Sequence, residues 1–193
     1  MNIKLNRLIS ISLLIITIIP ISAIAGDEQN PEIEDKQGDM FKQIDMVSIW
    51  FFEDINNPDY LYLSFKMKDL VTNTHIFEAI YAVHWKFYEN YYAASLNVLP
   101  SHISNFLTGR ANDKCNDYES YVICNGTYNV DNSIITWEIL KDAIGNPKPG
   151  DTLIKIFPNT HLRFSMSKFF PRADLFKDLA WNALFRKDYS IQY

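Results

Sequence analysis

The chain is predicted to be all-β, an antiparallel β-sandwich of jelly-roll type with eight or nine strands and one or two short helices. Apolar and polar residues alternate with period two through most of the region after residue 43, as strands with one buried face require. Short clusters of Asn, Asp, Pro and Gly separate those runs, and little of the chain carries a helical period. An apolar content of 48% supports one core, so residues 43–193 are read as a single domain.

The chain opens with Lys4 and Arg7, an apolar run from Leu8 to Ile19, Pro20, and the small-residue site Ala23-Ile24-Ala25. This order reads as an export signal spanning residues 1–25, with an uncleaved anchor as the alternative. No later stretch is apolar for long enough to span a bilayer. The expected location is therefore secreted or at the extracytoplasmic cell surface. Losing Lys4 and Arg7 with the signal shifts the formal net charge from -5 to -7, which disfavours nucleic acid as a partner. Residues 26–42 hold Asp27, Glu28, Glu32, Glu34, Asp35 and Asp39 with little to bury, and are read as an acidic flexible leader.

Ile44 to Phe52 is apolar on both alternating sets, the pattern of a strand covered on both faces. Asn56-Asn57-Pro58-Asp59 turns the chain into a strand where Leu61, Leu63, Phe65 and Met67 alternate with Tyr60, Tyr62, Ser64 and Lys66. Ile76 to Tyr88 follows, with Trp85 on its apolar face and His84 facing solvent, and Glu89-Asn90 reverses it into Tyr91 to Val98. Residues 100–117 read as loop, with one short strand near Phe106. Tyr118 to Ile123 is extended, and Thr127 to Val130, Asp131-Asn132 and Ile134 to Leu140 give the strongest hairpin signal.

Lys141 to Ile144 reads as one helical turn, and the loop from Gly145 to Asp151 feeds a strand at Thr152 to Phe157. A strand at Leu162 to Met166 and a closing strand at Tyr189 to Tyr193 complete the pattern. Between them, Leu175, Leu179, Trp181 and Leu184 have spacings that suit a short helix over 173–185.

The run from Ile134 through Trp137 and Leu140 to the Gly145–Asp151 loop resembles the late hairpin of DOMON-like and family-9 carbohydrate-binding-module-like sandwiches. Ile44 to Glu53 with Asp59 to Leu70 resembles that superfamily's first hairpin. The resemblance implies a sandwich that binds sugar or haem, or serves as an accessory domain. Haem would need a Met and a His as axial ligands; Met46, Met67 and Met166 stand beside His75, His84, His102 and His161 in the sequence, with no pair distinguished. Met67, on an apolar strand face, reads as core filling.

Sugar modules bind through flat aromatic platforms, and this chain is 15% aromatic. Trp50, Trp85, Trp137 and Trp181 read as core, leaving Tyr60, Tyr62, Tyr91 and Tyr92 as the candidates for an exposed stacking surface. Asp54, Asn56 and Asp59, with Glu53 and Asn57, offer the oxygen ligands calcium takes, against the plainer reading of a hairpin loop. Cys115 and Cys124 are read as a disulfide in an exported chain, a local staple of about 2–3 kcal/mol. Asn125-Gly126-Thr127 is an N-glycosylation sequon in an expected turn.

No GxSxG, HExxH, P-loop or Rossmann glycine pattern is present, so an enzyme is not expected. No cofactor is predicted, with haem and calcium as the alternatives to that reading. The expectation is an exported, non-catalytic binding or accessory module for carbohydrate or a cell-envelope component. Its rival is a structural or interaction module of the envelope without a small-molecule ligand.

Overall fold

The computed structural model describes residues 26–38, 40–70, 77–164, 174–179 and 185–193. The expected signal segment lies outside them, as do His75, Met166 and Trp181. The strands are β1 (Ile33–Glu34), β2 (Met46–Phe52), β3 (Tyr60–Met67), β4 (Phe77–Phe87), β5 (Asn90–Val98), β6 (Phe106–Ala111), β7 (Tyr118–Asn129), β8 (Ile134–Leu140), β9 (Thr152–Phe164), β10 (Asp174–Leu179), β11 (Phe185–Arg186) and β12 (Tyr189–Ser190). They form one antiparallel sheet in the order β10-β9-β4-β5-β6-β7-β8-β3-β2-β1-β11, with β12 added to β9. The chain is all-β, as its alternation predicts.

The sheet curls, and β7 is its corner. Tyr118–Cys124 pairs with β6, whereas Asn125–Asn129 pairs with β8. The sequence suggests two strands here with the sequon in a turn between them; Asn125 and Gly126 are instead mid-strand, and Asn125 is exposed. Gly126 is required by close approach, because a Cβ there would lie 2.4 Å from the Phe106 ring. That ring meets Trp137 edge-on at 5.9 Å and fills the corner.

The apolar sets of the two halves face one another. Phe51 on β2 meets Trp85 on β4 edge-on at 5.7 Å, and Phe65 on β3 meets Tyr81 on β4 at 6.4 Å. Each such pair is worth about 0.5–1.5 kcal/mol beyond its buried area. Several buried polar groups in this layer are matched: Trp137 Nε1 donates to Ser95 O at 3.1 Å, Tyr81 OH to Gln43 O at 2.9 Å, and Thr160 Oγ1 to Ile44 O at 2.7 Å, whereas Trp85 Nε1 meets no acceptor among the described residues. Met67 is buried in this core as expected, with Trp85 and Trp137, while Trp50 is buried on the opposite face of β2.

Three parts of the chain depart from the sequence reading. The stretch read as a solvated leader supplies β1, whose Ile33 is 0% exposed, because an apolar residue between acids suffices to pair with β2. The helix expected over 173–185 is, where described, strand β10, paired with β9 from Arg163 to Asn159. A spacing of four, as between Leu175 and Leu179, fits both a helical turn and a strand face, so the open edge of β9 decides. The strands expected at 152–157 and 162–166 merge, over the described residues, into one continuous β9 ending at Phe164, with a bulge opposite Trp85 where Lys155 takes φ 52. Pro158 falls between β9's partners β12 and β10, where a missing N–H is tolerated. The single helical element described is the 3-10 turn Lys141–Ile144, closed by Gly145 at φ 85.

The end of the chain bridges the curl. β11 pairs with β1, and three residues later β12 pairs with the start of β9. Beneath this strap lies a buried ion pair, Glu53 to Lys141 at 2.6 Å, with side chains 0% and 6% exposed. Glu53 Oε2 also accepts from Tyr189 OH at 3.1 Å and Gln192 N at 2.6 Å, and Lys141 Nζ donates to Tyr193 O. Saturating the pair in this way is what makes its burial tolerable.

Candidate functional site

Outward-facing residues of β9, β4, β5 and β6 build a shallow groove of about 400 Å³ on one outer face of the sheet. Its floor is made of small residues: Ala82 on β4 sits opposite Ser95 on β5, and Ala93 is opposite His84. Its walls are polar. Register brings His161 across from Ile80 and Ile80 across from Asn97, while Asn159 lies across from Ala82. Arg163 and the loop residues Cys115–Tyr118 close two sides.

These groups are held in place rather than loosely solvated. His84 and Asn159 are buried with Nδ1 and Nδ2 3.5 Å apart, and the His84 ring stacks on Phe157 at 4.9 Å and 12°. Asn97 Nδ2 donates to Glu78 Oε1 at 2.9 Å, and Tyr118 OH donates to Ser95 Oγ at 3.0 Å. Burial pushes the Tyr118 hydroxyl well above its usual range, so it remains a neutral donor. The adjoining loop is pinned by Asn112 Nδ2 to Asn116 Oδ1 at 2.8 Å and Cys115 N to Asn112 O at 2.9 Å.

The tyrosines singled out from the sequence do not gather into one platform. Tyr60 and Tyr62 share the outer face of β3, half-buried; Tyr62 stacks on Phe52 at 4.9 Å and its hydroxyl accepts from Asn57 Nδ2 at 3.0 Å. Tyr91 is half-buried on the outer face of β5, in the other half of the curl. Tyr92 belongs to the core, because β5 begins at Asn90 and puts Tyr92, Ala94, Leu96 and Val98 on its inner side.

The disulfide expected between Cys115 and Cys124 is not formed; both are free thiols. Cys115 sits in the β6–β7 connection, and Cys124 pairs with Phe106 at the far end of that hairpin. The seven extended residues from Tyr118 to Cys124, six steps of strand, span about 20 Å, well past the roughly 7 Å that a disulfide bridges. Burial raises both thiols, Cys124 to about 11, which keeps them protonated at neutral pH.

The oxygen-rich turn is occupied by its own bonds. Glu53 is spent on Lys141, Asp54 Oδ1 accepts from Asn56 N at 2.9 Å and Asn56 Nδ2 at 3.0 Å, and Asp59 O accepts from Lys141 N. Among the described residues no group of three or more His, Cys, Asp or Glu is arranged to hold a metal. His84, expected to face solvent, is buried in the groove, and His102 is exposed far along the chain from it.

The sequence names His84 and His161 among its histidines but does not bring the groove residues together. Asn159 and His161 fell in an unassigned gap between two supposed strands, and they meet His84 and Asn97 only through the β9–β4–β5 register. A polar residue amid apolar neighbours, as His84 is between Val83 and Trp85, was the available signal. Comparison with family models, with curated proteins and with solved structures finds no match for this chain.

Proposed function

We propose that the protein is an exported, non-catalytic binding module that takes a small polyhydroxylated ligand of the carbohydrate class in the β9–β4–β5–β6 groove. The observation that carries this reading is a set of buried imidazole and amide groups, His84, Asn159 and His161, around a floor of Ala82 and Ala93. Asn side chains both donate and accept, which matches the paired donor and acceptor character of a sugar hydroxyl. The groove's size lies within the range of small-ligand sites. The likeness of the Trp137 hairpin to carbohydrate-binding sandwiches points the same way.

The reading differs from an aromatic platform in what it asks of the ligand. Orientation comes from hydrogen bonds to Asn97, Asn159 and Tyr118, and contact area comes from the small-residue floor. A glycan array probed with the purified protein, followed by calorimetry on any hit, tests it. Asn97→Ala is expected to weaken the hit about tenfold, the cost of one lost hydrogen bond in a partly dry site. Ala93→Leu, which fills the floor, is expected to abolish it. Silence across the array, or a hit indifferent to both substitutions, rejects the proposal.

A further inference from the structure

A second surface lies where β7 leaves one half of the sheet for the other. Pairing of β7 with β8 runs only from Asn125 to Asn129, so Tyr118–Cys124 uses one edge on β6. Among the described residues nothing pairs with its other edge. A cleft of about 480 Å³ opens there, between Val122 and Ile123 on β7 and Leu140 at the end of β8 with Ala143 in the 3-10 turn that follows. Tyr121, Val122 and Ile123 are 61%, 48% and 64% exposed. Edge strands are normally blunted by charge, proline or a covering loop. Here the one charge on the free edge, Glu119, is already paired with Arg110 at 2.9 Å, and Ser120 to Cys124 contains no charged residue and no proline.

The cleft also has a sign. Glu138 and Asp142 line it, and among the described residues neither makes an ion pair. We propose that this fork is a docking site for an extended peptide segment that adds to β7 as a strand, with apolar residues toward Val122, Ile123 and Leu140 and a lysine or arginine meeting Glu138 and Asp142. Unpaired strand backbone asks for an extended partner, and the apolar lining asks for alternating apolar side chains. The two carboxylates select a basic residue. A second copy of the chain fits less well, because it would bring two such acidic pairs together on molecules of formal net charge -5.

The test uses the full-length protein and a fluorescein-labelled synthetic peptide of alternating valine and threonine with a central lysine, read by anisotropy. A saturable rise is expected with the lysine peptide, and none with the same peptide carrying a central proline. The double variant Glu138→Gln/Asp142→Asn is expected to weaken binding several-fold, and added salt to do the same. Ile123→Lys is expected to abolish binding; thermal melts of both variants report whether the fold is kept, and the isosteric double variant serves if Ile123→Lys is not folded. No saturable rise, or equal binding of the proline peptide, overturns the proposal. So does sedimentation equilibrium showing a dimer that Ile123→Lys dissociates, which would make a second copy the occupant.

Discussion

At the scale of single residues, Glu32 gives a sharp test of the structure. Its carboxylate is buried beside β2, accepting Phe51 N at 2.7 Å, and burial raises its pKa to about 7 from an ordinary 4.5, with Lys187 opposing only in part. In the unfolded chain the group ionises near its ordinary value, so between about pH 4.5 and 7 the folded state holds the extra proton. Stability therefore falls as pH rises through that window and levels off above it, by an amount on the order of 3 kcal/mol. Glu32→Gln keeps an acceptor for Phe51 N and removes the titration. Urea midpoints from pH 4.5 to 8 are expected to show the difference between wild type and Glu32→Gln growing with pH, the variant being the more stable at the alkaline end. Parallel curves would mean that Glu32 is not buried as described. Nothing local in the sequence marks this residue: Glu32 sits in an acidic run, and only pairing of Ile33 with Ile49 draws it under the sheet.

At the scale of elements, the strands with clean alternation were legible. In β3 the inner set is uniformly apolar, so period alone assigns its faces, whereas in β5 the neighbours Tyr91 and Tyr92 are both expected outside and alternation puts Tyr92 in the core. The corner in β7 was not legible, because Asn125-Gly126 has turn chemistry and is kept extended by what packs on it. Gly126→Ala tests this cause. The added methyl is expected to displace Phe106 from Trp137 and cost about 1–3 kcal/mol, read as a lower melting temperature. A neutral substitution would mean the corner does not depend on that contact. β9 was split for a related reason: Pro158 and the bulge at Lys155 look like breaks in a strand, yet pairing with β4 runs past both. That misreading hid the groove, since Asn159, His161 and Arg163 belong to the half of β9 lying beyond the proline.

For the molecule as a whole, closure of the curl rests on residues 185–193. Deleting 187–193 removes Tyr189 and Ile191 from the core and takes away Tyr189 OH, Gln192 N and Tyr193 O from the Glu53–Lys141 pair. Two large apolar side chains and an uncovered buried pair together amount to about 5 kcal/mol or more, comparable with the entire stability of a typical domain. The truncated chain is expected to lose near-ultraviolet circular dichroism and cooperative melting; retention of both would show that the strap is dispensable. The two bridging ladders also bear on how the chain is made. While a ribosome still holds residues 185–190, the outer edge of β1 and the outer edge of β9's first residues have no partner strand, however well the middle has collapsed. Every nascent copy thus passes through a form with open hydrogen-bonding edges, the form a chaperone would meet.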